Sequence, residues 1–150
     1  AQEHFASHII RKKVLVATDG LESIVAGGPR ILLFAPSGEY HEIPLLTAHY
    51  FFKKAGFQTI YFGTNVSAES LAYYLSHHPV DYLYTHVITF FQETSPEAYM
   101  LELKQHFKGK IIRSGPAFRQ LPEHTANEIV LHSLEELIRF TRDLKEKPAI

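Results

Sequence analysis

Apolar residues along this chain recur with two periods, and the change falls at Gly27-Gly28-Pro29. Before it, Phe5, Ile9, Ile10, Val14, Ala17 and Leu21 follow one another mostly at gaps of three and four. That spacing predicts a helix over residues 2–25 with one apolar stripe. Glycine and proline both oppose its continuation, so the helix ends before the Gly-Gly-Pro. No helical neighbour follows it in sequence, and it reads as the last member of a truncated bundle.

From Arg30 onward short apolar runs alternate with helical patterns. Ile31–Ala35, Thr59–Phe62, Tyr82–Thr89, Lys110–Ser114 and Glu128–Leu131 read as strands. Ile43–Ala55, Ala68–His77, Pro96–Phe107 and Leu134–Lys145 read as helices. Ser67 and Ser95 stand where N-caps belong, and Gly56 stands where a C-cap glycine belongs. Leu45, Ala48, Phe52 and Ala55 give the first of these helices a single apolar stripe to lay on a sheet. Between the fourth and fifth strands only a short turn around residues 118–123 replaces a full helix. Strands alternating with helices predict a parallel sheet covered on both faces. The expected class is α/β, a flavodoxin-like or Rossmann-like fold with five strands in the order 2-1-3-4-5. In that order the loops after the first and third strands flank a crevice, where ligands bind. His41 falls in the first of those loops; Thr85 and His86 lie on the third strand.

Composition narrows the partners. The apolar fraction is 45% and the charged fraction 21%, enough for a buried core. The formal net charge is -1, so the chain lacks the basic face that a phosphate backbone requires and is not expected to bind DNA alone. Arg11, Lys12 and Lys13 read as a solvated turn. There is no cysteine, which removes disulfides and thiolate metal sites and only weakly favours the cytoplasm. No apolar run approaches the roughly 20 residues that span a bilayer. No signal-peptide pattern opens the chain, which begins AQEHF without methionine and reads as an excised piece of something longer.

Glu39-x-His41 is the first candidate for chemistry. A metal-ligating imidazole uses one ring nitrogen for the metal and donates the other N–H to a carboxylate or carbonyl, which fixes its tautomer. Glu39 is placed to be that partner. One histidine is a poor site for a free ion, which wants three or four protein ligands. It suffices for a corrin, whose ring nitrogens leave only axial positions open. On spacing alone a loop histidine beside a solvated glutamate is the plainer reading; the surrounding sequence reverses it. His4 and His8, four residues apart, have zinc-compatible spacing but no third ligand nearby. His77 and His78 close a helix, where positive charge suits the dipole. His49, His106, His124 and His132 read as structural or isolated, and His86 as a strand-end residue facing solvent. Tyr73, Tyr74, Tyr82, Tyr84, Phe90 and Phe91 read as core or interface. No Gly-x-Gly-x-x-Gly follows the first strand, and neither a phosphate-loop lysine nor a receiver's clustered aspartates is present.

Glu39-Tyr40-His41-Glu42-Ile43-Pro44, Thr85-His86-Val87 and Ser114-Gly115 together resemble the cobalamin-binding domain of MerR-type, light-responsive transcription regulators. The family pattern is acidic-x-His-x-x-Gly, then Ser-x-Leu, then Gly-Gly, and its light-sensing members carry Glu in the first motif. Here Pro44 stands for the motif glycine, Thr85 for the serine and Ser114 for the first glycine. The resemblance implies that His41 is the lower axial ligand of cobalt, displacing the cofactor's own benzimidazole into a gap between sheet and helices. It implies that Thr85 supplies the serine's hydroxyl, and that Ser114 and Gly115 let the nucleotide tail approach the backbone. Glu3-His4-Phe5-Ala6-Ser7 is similar to the Glu-His segment of the helical bundle that caps the cofactor's upper face, so Glu3 and His4 join the expected site. Residues 1–28 then end the cap bundle, and residues 29–150 form the cobalamin-binding domain.

The resemblance thus implies a non-enzymatic, cytoplasmic sensor domain, with adenosylcobalamin (vitamin B12 in its light-sensitive form) as the favoured cofactor of a photoreceptor. It would form homo-oligomers, have no membrane partner, and meet DNA only through a helix-turn-helix absent from this chain. Two alternatives stay open. One is a cofactor-free oligomerisation or interaction module of the same fold, motivated by Pro44, Thr85 and Ser114. The other is the small cobalamin-carrying subunit of a mutase or methyltransferase.

Overall fold

The first strand, β1 (Arg30–Pro36), is buried at every residue after Arg30, as expected of a central strand covered on both sides. The computed structural model describes residues 2–22, 27–89, 94–123 and 125–146. In them α1 (Gln2–Asp19) precedes β1, followed by α2 (Ile43–Lys54), β2 (Gln58–Val66), α3 (Ala68–His77), β3 (Tyr82–His86), α4 (Pro96–His106), β4 (Lys110–Ser114), a 3-10 turn at Pro116–Phe118, β5 (Glu128–Leu131) and α5 (Leu134–Glu146). The sheet is parallel in the order β2-β1-β3-β4-β5, the order expected from the alternation of elements.

Period-two alternation divides β1 between two cores. Ile31, Leu33 and Ala35 pack with Leu45, Phe52 and Leu137 beneath α2 and α5. Leu32 and Phe34 pack with Leu71, Met100 and Leu103 beneath α3 and α4. The predicted stripe of α2 is the one buried, with Leu45, Ala48 and Phe52 all at 0% exposure. Ser67 and Ser95 cap α3 and α4 by accepting from the N–H groups of Ser70 and Ala98. Gly56, at φ 94°, follows the end of α2 in the left-handed region where glycine is at ease.

Some element boundaries differ from the sequence expectation, for identifiable reasons. α1 stops at Asp19 where the expectation ran to residue 25: after the last helical bond, from the Gly20 N–H to the Val16 carbonyl, the Leu21 N–H turns instead to the Thr18 carbonyl, three residues back. β3 stops at His86 rather than Thr89, because the Ile88 and Thr89 N–H groups leave the sheet for a carboxylate. β2 runs on to Val66, its pairing with β1 broken by register shifts on either side of Phe34. Phe90, Phe91 and His124 lie outside the described residues.

α1 packs along α2 in the same direction. Near the start of α2, Arg11 Nε donates to Glu42 Oε2 at 2.7 Å; near its end, Lys53 Nζ donates to the Thr18 carbonyl at 3.0 Å. Residues 2–10 therefore project roughly 13 Å beyond the start of α2, at 1.5 Å per residue. That places them above the carboxyl edge of the sheet, with Phe5, Ile9 and Ile10 exposed. The Arg11–Glu42 pair is solvent-accessible, and exposed pairs contribute little. Arg11→Ala is expected to cost at most about 1 kcal/mol in urea unfolding.

β4 carries a charge network into the core. Arg113, 0% exposed, donates Nε to Glu128 Oε2 at 2.8 Å and bonds the Phe118 and Pro122 carbonyls. Lys104 pairs with the second oxygen of Glu128. Burial pushes the Glu128 carboxyl up, but the bonds from Lys104, Thr125 and Arg113 outweigh it and hold it below its ordinary value. A buried guanidinium is tolerable when its donors are met in this way.

Candidate functional site

At the carboxyl edge of the sheet the chain leaves β1 toward β2's side and leaves β3 toward β4's side, which opens a crevice between the two loops. The β1 loop is fixed before it reaches His41. Gly38 N–H donates to Asn65 Oδ1 at 3.0 Å, and Asn65 N–H donates to the Glu39 carbonyl at 3.0 Å. Asn65 itself sits at φ 56°, a conformation asparagine tolerates better than most residues.

Glu39 is not solvated. It is 1% exposed, and its carboxylate joins the two loops across the crevice. Oε1 accepts the His41 backbone N–H at 2.9 Å and lies 2.5 Å from His41 Nδ1. Oε2 accepts the N–H groups of Ile88 at 2.7 Å and Thr89 at 3.2 Å. Burial alone would raise its pKa; the N–H groups of His41 and Ile88, the His41 ring and the Thr89 N–H together hold it below the usual carboxylate range. An ionised Glu39 can only accept, so Nδ1 of His41 carries the hydrogen and Nε2 keeps its lone pair. The His41 side chain is 53% exposed. The arrangement therefore presents one oriented imidazole nitrogen at the mouth of the crevice, with its tautomer set. Among the described residues no cluster of three or more metal-ligating side chains is present.

Beside it lies a cavity of about 380 Å³ between the sheet and the helices α2 and α5, large enough for a sizeable organic group. Its wall is mostly apolar, with Ile43, Pro44, Leu134 and Leu137 on the helical side. Tyr84, His86, Ser114 and Gly115 come from the strand side. His86 Nδ1 lies 2.7 Å from Ser114 Oγ, and the Tyr84 hydroxyl also bonds Ser114. Burial pushes the Tyr84 hydroxyl up to about 12, the Ser114 bond opposing that rise. His86 is lowered chiefly by burial, with Glu39 acting against this and His41 adding to it.

The residues expected at the site divide clearly. Glu39, His41, Ser114 and Gly115 converge on the crevice and its cavity. Thr85 does not: strand alternation gives the cavity wall to Tyr84 and His86, and Thr85 Oγ1 is fully buried with no hydrogen-bond partner among the described residues. Glu3 and His4 are exposed on the projecting turns of α1. His86, expected in solvent, faces the cavity. His132 is not isolated, pairing with Glu123 at 2.8 Å, and His49 stacks on Tyr61 and bonds Thr59. The motif pattern omits Tyr84 and His86 from the cavity, although alternation along β3 marks them as one face.

Gly115 owes its identity to more than room for a ligand. It sits at φ 106°, and a Cβ there would fall on the Val87 carbonyl, where the chain from β4 crosses the end of β3. Gly115→Ala is expected to lower stability by about 1–3 kcal/mol, measured by chemical denaturation, and to disturb the cavity floor.

No protein-family model matches the chain. It is 38% identical over 71 residues to the HTH-type transcriptional repressor CarA of Myxococcus xanthus; the match takes in 47% of this chain and 24% of the repressor. Two solved structures from Methanosarcina barkeri share its fold. One is the methanol:cobalamin methyltransferase complex MtaBC, with a TM-score of 0.59 and 14% identity, covering 78% of this chain and 43% of that one. The other is the monomethylamine corrinoid protein, with a TM-score of 0.56 and 15% identity, covering 77% and 57%. The chain thus spans about a quarter of the repressor's length.

Proposed function

We propose that this chain is the cobalamin-binding sensor domain of a MerR-type transcription regulator. The observation that carries the reading is the geometry at Glu39: a buried carboxylate holds His41 by Nδ1 and leaves Nε2 free at the crevice mouth. A single oriented imidazole is what a corrin requires, because the macrocycle supplies the four equatorial nitrogens itself. Glu39 strengthens the histidine as a ligand by accepting its other ring hydrogen. The cavity beside β3 and β4 fits the displaced nucleotide tail, with an apolar wall for a flat base and a few polar groups to orient it. The likeness to the CarA repressor and the fold shared with the two corrinoid-related structures support the same reading.

Within it, residues 1–28 end a helical cap and residues 29–150 hold the cofactor. The projection of residues 2–10 above the sheet edge supports a role for Glu3 and His4 in covering an upper-face group. Adenosylcobalamin, when bound, supplies a cobalt–carbon bond that light can break. Residues of the cap would sense whether the upper group is present, biasing assembly into homo-oligomers and so DNA binding by a helix-turn-helix outside this chain. The domain itself would carry no catalysis, and it would act in the cytoplasm; no described helix is long and apolar enough to cross a membrane.

The test is the visible spectrum of the full-length gene product after dark incubation with adenosylcobalamin and removal of free ligand. Retained colour with a histidine-ligated spectrum is expected. A colourless protein would sink the reading and leave a cofactor-free interaction module.

A further inference from the structure

Among the described residues, the cavity between the sheet and the helices α2 and α5 is lined by two arginines and two histidines, and by no aspartate or glutamate. A mostly apolar wall that holds basic groups and no acid suits a ligand with a negative charge, because a charge leaving water needs an opposite one nearby. Three of the four basic groups are not free cations. Arg113, 0% exposed, gives Nε to Glu128 and its other donors to the Phe118 and Pro122 carbonyls. His132 Nε2 lies 2.8 Å from Glu123 Oε1. Burial lowers the pKa of His86 and leaves the ring neutral near pH 7.

Arg119 is different. It follows the 3-10 turn Pro116–Phe118, its backbone N–H donating to the Pro116 carbonyl at 3.2 Å, and it is exposed. A residue that lines a cavity and is also exposed stands at the rim. Among the described residues its guanidinium has no ion pair. A guanidinium keeps its charge at any pH the fold survives, and its fork of N–H groups matches phosphate oxygens. One uncommitted, permanent cation therefore stands at the rim of a cavity whose described wall holds no acid.

A corrin seated on His41 with its base in the cavity restricts where the tail's charge can fall. The phosphodiester joins the corrin's side arm to the ribose that carries the base. It lies between the two, and so at the rim rather than the floor. We propose that Arg119 pairs with this phosphodiester and selects corrinoids by the charge of the tail, whatever base ends it. The proposal rests on the cobalamin reading of the site.

Three ligands and two variants of the full-length protein test it. The ligands are cobalamin, cobinamide phosphate (which keeps a phosphate and lacks the base) and cobinamide (which lacks both). Arg119→Gln removes the charge and keeps an amide; Arg119→Lys keeps the charge without the fork. Arg119→Gln is expected to weaken cobalamin and cobinamide phosphate about five- to thirtyfold, between the worth of an exposed ion pair and that of a buried charge-assisted bond. It is expected to leave cobinamide within about twofold, and Arg119→Lys should recover part of the loss. Added salt should weaken cobalamin binding to the wild type more than to Arg119→Gln, a readout that a merely structural role would not move. Equal weakening of all three ligands, or none, would overturn the assignment of Arg119 while leaving the cobalamin site intact. Weakening of cobalamin alone would overturn it too, because Arg119 would then serve the base or ribose and not the phosphate. Wild-type protein that takes up none of the three would remove the cobalamin reading itself, and this inference with it.

Discussion

His41→Ala is expected to lower cobalamin affinity at least about a hundredfold while leaving the fold nearly untouched. The first half follows from counting ligands. Among the described residues no other histidine shares the pattern of a buried carboxylate on one ring nitrogen and an unpartnered second nitrogen at the crevice mouth. Loss of a residue that merely orients a metal ligand typically costs ten- to a hundredfold, so loss of the ligand itself costs no less. The second half follows from exposure. The side chain is 53% exposed, and the backbone N–H of His41 still donates to Glu39 after truncation. Surface truncations of that kind usually move stability by about 0.5 kcal/mol or less. The check pairs a spectroscopic titration with a urea melt of the ligand-free protein. A variant that keeps a histidine-type spectrum would refute His41 as the axial ligand. A variant that loses colour only because it has unfolded would show in the melt.

The separation between binding and folding at His41 explains which parts of this site could be read from sequence. The sheet order was legible because β1 must be apolar at every position to lie in mid-sheet, and Ile31 to Ala35 are. The crevice followed from that order. His41 was not legible from its spacing to Glu39, which suits an ordinary loop histidine equally well; it became a candidate through the motif residues around it, Glu39 to Pro44, Thr85 to Val87 and Ser114-Gly115. What sequence could not give was the inward turn of Glu39. A glutamate in a loop is ordinarily solvated, and its burial depends on the Ile88 and Thr89 N–H groups, some fifty residues away. The same two N–H groups cut β3 short, so the overlong strand and the unsuspected depth of Glu39 have one cause.

Thr85 illustrates a different limit. Its match to the family's serine is a match of sequence position, and whether a strand residue faces a cavity is decided by the phase of the pleat. Tyr84 packs with the core beneath α2 and α5 and Leu83 with the core beneath α3 and α4, so Thr85 shares the phase of Leu83. Had the apolar partners of Leu83 and Tyr84 been told apart from sequence, His86 would have been placed on the cavity wall.

Glu39→Ala carries the second large effect, and it falls on both folding and binding. The substitution deletes a buried acceptor of four hydrogen bonds, three of them from backbone N–H groups on two loops. Removing one partner from a buried charged arrangement typically costs about 3–5 kcal/mol, because the groups left behind have no substitute. Cobalamin affinity should fall as well, since His41 loses the bond that fixes its tautomer, and Gln at this position should recover part of each loss through its amide oxygen. The pH dependence gives a sharper signature. The folded carboxyl lies below its ordinary value of 4.5, so Glu39 binds a proton less readily folded than unfolded. Its stabilisation is complete above that ordinary value and disappears as pH falls through the lower folded value. The wild-type advantage over Glu39→Gln, read from urea midpoints at a series of pH values, is therefore expected to be constant near neutrality and to shrink below about pH 4.5. An advantage unchanged into strong acid would mean that the charge on Glu39 is irrelevant, and that its role is to fill space between the loops. A shrinking one identifies the ionised carboxylate as the tie that closes the crevice and aims His41.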